Sequence, residues 1–69
     1  MNQHEVVALT QDIPELGLVR GQVGTVVEMW QGDVCEVEFA DFEGRAYAFA
    51  AVPEQALMSL SFQPVKQAA

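Results

Sequence analysis

Three sets of residues in this chain of 69 carry side chains that can do chemistry. His4 and Cys35 are the single histidine and the single cysteine. Glu28, Glu36 and Glu38 lie close together in "EMWQGDVCEVEF", and Asp12, Glu15 and Arg20 share one glycine-rich stretch. His4 sits near the amino end with no sequence neighbour to complete a Ser–His–Asp arrangement, so it is expected in solvent. Cys35 cannot form a disulfide within the chain, and one thiolate does not build a zinc site. In an alternating strand it faces inward and acts as a small apolar side chain. Calcium takes roughly six to eight oxygens from a flexible loop, so three carboxylates on rigid strands make a poor cage. No residue set supports a catalytic mechanism. The chain is expected not to be an enzyme, and no cofactor or metal is expected.

The elements that position these residues are strands. Glu5–Leu9 ("EVVAL") reads as a first short strand, rich in β-branched residues. Thr10–Val23 is a long structured loop punctuated by Pro14, Gly17 and Gly21, with Gly24 just beyond. Ile13, Leu16, Leu18 and Val19 are expected to fold back onto the core, and Asp12 to bond amides ahead of it. Gly17, Gly21 and Gly24 are expected to need positive φ or close packing. The loop has no aromatics, which speaks against recognition of proline-rich peptides.

Thr25–Trp30 and Val34–Phe39 form a hairpin across the link "QGD". Placing Trp30 opposite Val34 pairs Met29 with Cys35, Glu28 with Glu36, Val27 with Val37 and Val26 with Glu38. That register puts Val27, Met29, Cys35, Val37 and Phe39 on one core face. A fourth strand, Ala46–Ala51, follows "DFEGR", with Phe39 opposite Tyr47, Val37 opposite Phe49 and Cys35 opposite Ala51. Pro53 ends it, a helical turn follows, and Leu57–Phe62 supplies a short fifth strand. The predicted fold is all-β: a small five-stranded SH3-like barrel with a long loop after strand 1 and one helical turn before the last strand. Residues 1–62 are expected to form one domain, and 63–69 a flexible C-terminal tail.

Ten acidic residues stand against three basic ones. That balance speaks against nucleic acid and against anionic membranes, and it favours a basic protein surface. No stretch reaches the ~20 apolar residues of a membrane span, and the start lacks the pattern of a signal peptide. A cytoplasmic location is expected. A core this small leaves little room for a ligand cavity of ~300 Å³ or more.

"DIPELGLVRGQVGTVVEMWQGDVCEVEF" resembles the small bacterial proteins catalogued as domain of unknown function 4926. The resemblance rests on Asp12–Glu15, Gly17, Leu18, Gly21, Gly24–Glu28, Glu36–Phe39, Asp41, Gly44 and Leu57. It implies an SH3-like barrel and brings no activity or catalytic residues. "GQVGTVVE" more weakly resembles the Gly-x-Val core of KOW motifs, but only Arg20 and Arg45 lie nearby where RNA-binding KOW domains carry basic loops.

In this register the outer face carries Val26, Trp30, Val34, Ala46, Ala48 and Ala50, with Glu28, Glu36 and Glu38 among them. An apolar stripe with an acidic border and a tryptophan anchor is a docking surface. Val26, Glu28, Trp30, Val34, Glu36, Glu38 and Ala48 are its candidate residues. The competing reading has the second strand bending so that Val26 turns inward, with Trp30 and Val34 covering the hairpin end. The expected function is a non-catalytic interaction module that binds a basic protein partner or a second copy, one version being an antitoxin- or immunity-like role. The alternative is a small-molecule or metal binder or an accessory subunit of an enzyme. KOW-like nucleic-acid binding ranks last.

Overall fold

The computed structural model describes residues 1–62. The tail predicted at 63–69 lies outside the described residues. Five strands form one antiparallel sheet: β1 (Val6–Leu9), β2 (Val23–Trp30), β3 (Val34–Ala40), β4 (Ala46–Pro53) and β5 (Leu57–Ser59). Two 3-10 turns interrupt them, η1 (Pro14–Leu16) in the long loop and η2 (Glu54–Ala56) before β5.

The spatial order is β4-β3-β2-β1-β5, so the two edge strands are consecutive in sequence. In a flat sheet those edges would lie roughly 19 Å apart, four spacings of about 4.8 Å. The three residues of η2 span only about 6 Å at ~2 Å each. The sheet must therefore curl on itself, and the result is a small SH3-like barrel. Backbone bonds fix η2 on both sides. The Glu54 N–H donates to Asp33 O at 2.8 Å, and the Thr10 N–H donates to Ala56 O at 2.9 Å.

The core lies inside that curl. Val7, Val26, Cys35, Val37, Phe39 and Val52 are fully buried, and Leu9, Leu18, Ala50, Ala56 and Leu57 complete the cluster. From the loop, Leu18 is buried and Ile13 half-buried, whereas Leu16 and Val19 are exposed. The expected fold-back of all four is corrected. A short β-bridge between Ile13 and Leu18 closes the η1 turn, with Leu16 exposed inside the turn and Val19 exposed just after it.

Glycine use follows two mechanisms. Gly17 and Gly21 adopt positive φ, 70° and 93°. Gly24 is held by space, because a Cβ there would lie 2.5 Å from Val37 Cγ1 and 2.8 Å from the Glu38 carbonyl oxygen.

Two register shifts separate the observed sheet from the sequence-based one. At the hairpin end the pairs are as predicted: Trp30 with Val34, Met29 with Cys35, Glu28 with Glu36. Then a bulge at Val27 brings Val26 opposite Val37 and Thr25 opposite Glu38. The second shift lies between Phe39 and Ala40, where Tyr47 is the additional residue. Phe39 therefore pairs with Ala48, Val37 with Ala50 and Cys35 with Val52. An added residue exchanges the faces of all residues beyond it.

Candidate functional site

The first strand to present the outer face is β2. Its bulge bends the strand and turns Val26 inward, where it is fully buried. Val26 is thus removed from the predicted docking surface and joins the core. The amino-terminal segment satisfies the bulge: Gln3 Nε2 donates to Val27 O at 2.9 Å, and the His4 N–H donates to Val26 O. Beyond the bulge, Glu28 and Trp30 point outward, with Trp30 53% exposed.

From β3, Val34, Glu36 and Glu38 alternate with the buried Cys35, Val37 and Phe39. Glu36 lies between Glu28 on one side and Ala51 on the other. Glu38 lies between Thr25 and Phe49. Trp30 Nε1–H donates to Glu36 Oε1 at 3.3 Å.

The contribution of β4 differs most from expectation. Ala48 faces inward and packs on the core, and Ala50 is buried. Both leave the predicted outer set, in which Ala46 alone of the alanines stays exposed. Their small size has a cause. Phe39, the largest fully buried side chain, stands opposite Ala48, and the fully buried Val37 opposite Ala50, so small residues face large ones across the β3–β4 ladder. The aromatics expected inside are outside: Tyr47 is 49% and Phe49 62% exposed. The Tyr47 ring lies 6.4 Å from that of Phe39, at the margin of the core.

The assembled face therefore carries Trp30 and Phe49 with the carboxylates of Glu28, Glu36 and Glu38, and Tyr47, the unpaired residue of the bulge, lies at its margin. Sequence reasoning missed Tyr47 and Phe49. The available signal was Val52, which shares the parity of Ala48 and Ala50 and is large enough to claim the inward side.

The remaining chemical groups do not converge. Cys35 is buried against two thioethers, with Sγ 3.7 Å from Met29 Sδ and 4.0 Å from Met1 Sδ. Burial, with Glu54 second, pushes its thiol up. His4 is exposed. In the loop, Asp12 Oδ1 accepts the Arg20 N–H at 2.8 Å, so that carboxylate closes the loop. Among the described residues no cluster of His, Cys, Asp or Glu is arranged to hold a metal ion. A cleft of about 440 Å³ opens between the hairpin turn and η2, lined by Gly32, Asp33, Pro53, Glu54 and Gln55. It lies on the surface outside the core, and no aromatic side chain lines it. No described helix is long and apolar enough to cross a membrane.

Compared with known protein families, the chain matches the one described as domain of unknown function (DUF4926) over residues 3–59. Neither the curated proteins nor the solved structures include a match.

Proposed function

This chain belongs to the DUF4926 family, and for it we propose a non-catalytic interaction module whose outer sheet face docks a basic protein partner. The observation that carries the reading is the exposure of two aromatic rings on one sheet face, Trp30 and Phe49, set among three carboxylates, with the half-exposed Tyr47 at the margin. Rings of this kind supply large contact area at low entropic cost and are the usual anchors of protein interfaces. The carboxylates select the partner: lysines and arginines around an apolar centre would match the acidic border and the formal charge of −7. The same charge disfavours nucleic acid and anionic membranes as partners.

Stacking two copies face to face is the poorer solution. It would set Glu28, Glu36 and Glu38 of one copy against the same residues of the other.

The test is a photo-crosslinking amino acid placed at Thr25, on the face, and at Glu15, in the loop, in the cell of origin. A partner captured from position 25 and not from position 15 is then purified and its affinity measured. The reading predicts a basic contact surface and weaker binding by Trp30→Ala. Equal capture from both positions, or unchanged affinity, would overturn it.

A further inference from the structure

One edge of the barrel borders that face and shares Phe49 with it. Among the described residues β4 pairs with β3 alone, so its other edge is open. The Glu54 N–H donates to Asp33 O, beside β3. By alternation along an antiparallel strand, residues of the same parity as Glu54, back to Ala48, turn their backbone groups toward β3. Phe49 and Ala51 then turn theirs toward the open edge.

Proteins ordinarily blunt such an edge with lysines, inward charges, prolines or short length. β4 is eight residues long, and Ala46–Pro53 contains none of the chain's charged residues. Its single proline, Pro53, lies at the end, and the bulge at Tyr47 is near the start. The segment between is regular and apolar, and among the described residues nothing covers it.

We propose that β4 pairs edge to edge with β4 of a second copy, antiparallel and around a two-fold axis through Phe49. An isologous antiparallel pair keeps both outer faces on the same side, which requires residues of like parity to oppose each other. With Phe49 opposite Phe49, Ala51 meets Tyr47 of the other copy, and the free N–H and C=O groups of Phe49 find partners. β4 itself brings no charge against this occupant. Arg45, just before β4 and held against Asp41 and Glu43 of its own chain, comes near Glu54, just after β4 in the second copy, and the contact occurs twice. The two β3 strands stay three spacings apart, roughly 14 Å, so Glu36 and Glu38 of the two copies lie beyond the about 8 Å screening length. The paired sheets present one continuous face with the two Phe49 rings at its centre.

This pairing uses the backbone edge of β4 and shares only Phe49 with the docking face, so Trp30→Glu, which alters that face alone, separates the two. Sedimentation equilibrium from about 1 μM to about 1 mM, for wild type, Phe49→Lys, Ala51→Pro and Trp30→Glu, tests it. The expected result is a monomer–dimer equilibrium weakened at least about tenfold by Phe49→Lys and Ala51→Pro and left in place by Trp30→Glu. The amides of Phe49 and Ala51 should exchange more slowly as concentration rises. Should Ala51→Pro unfold the barrel, Phe49→Lys decides, since its side chain lies outside the core. A monomer throughout, open-ended association, a dimer indifferent to Phe49→Lys, or one abolished by Trp30→Glu would overturn the proposal.

Discussion

The Trp30 indole donates its Nε1–H to Glu36 Oε1 at 3.3 Å, across the β2–β3 pair on the outer face. An exposed bond of this length adds little stability. Its consequence is positional: the aromatic anchor and the central carboxylate of the acidic row are presented together.

Trp30 and Val26 therefore separate surface from core. Trp30→Ala should change stability by less than about 1 kcal/mol, because half of the side chain is already in solvent. Val26→Ala should cost about 2 kcal/mol, because it opens a hole in a fully buried site. Thermal unfolding of both variants checks this. Equal losses would place Trp30 in the core and remove it from any docking surface.

Gly24→Ala should be among the most damaging small substitutions. The new methyl would meet a valine methyl and a backbone oxygen within 3 Å, and a backbone oxygen in a ladder cannot step aside cheaply. Overpacking of this kind costs about 1–3 kcal/mol. Gly17→Ala meets no atom within 4 Å and is penalised only by its positive φ, so it should cost about 1 kcal/mol. Urea titration of the two variants should rank them in that order.

Glu5 ties β1 to β5 and sets part of the acid response. Its carboxylate accepts the Asn2 N–H at 3.0 Å and the Ser59 hydroxyl at 2.8 Å. These bonds, Asn2 first and Ser59 second, hold its carboxyl below the ordinary glutamate range. A group depressed in the folded state stabilises above its unfolded value, and that contribution is lost as pH falls through the folded value. Glu5→Gln should therefore flatten the acid side of the stability curve, with Ser59→Ala doing so in part. Melting temperatures from about pH 6 down to about pH 3 check it, and curves parallel to wild type would contradict it.

Cys35 should resist thiol reagents in the folded protein. Its sulfur is buried among the Met1 and Met29 thioethers, and burial favours the neutral thiol. Reaction with a chromogenic disulfide at about pH 8 should be slow in buffer and rapid in denaturant. Fast reaction in buffer would mean that the β2–β3 hairpin exposes the sulfur.

The strands were legible from the sequence because each alternates or is β-branched and each link holds a glycine or proline. The three-residue turn at "QGD" set Trp30 opposite Val34 and placed Glu28 beside Glu36, and both pairs are present. The faces beyond were not legible. A bulge has no strong residue signature, and the additional residues at Val27 and Tyr47 each invert the faces of the residues past them. Val26, Ala48 and Ala50 went inside, and Tyr47 and Phe49 came out. The inward alanines are understood only once Ala48 is seen opposite Phe39 and Ala50 opposite Val37, a volume constraint that alternation alone does not express.

Trp30 is the only tryptophan, so the candidate face carries its own fluorophore. The most direct measurement is its emission during titration with the partner captured by crosslinking, with Trp30→Phe as the control for the partner's own signal. The docking account predicts a saturable blue shift, shielding from acrylamide, and affinity that falls as salt is raised. Saturable binding with Trp30 emission and quenching unchanged would contradict it, because the partner would then be seated elsewhere on the barrel.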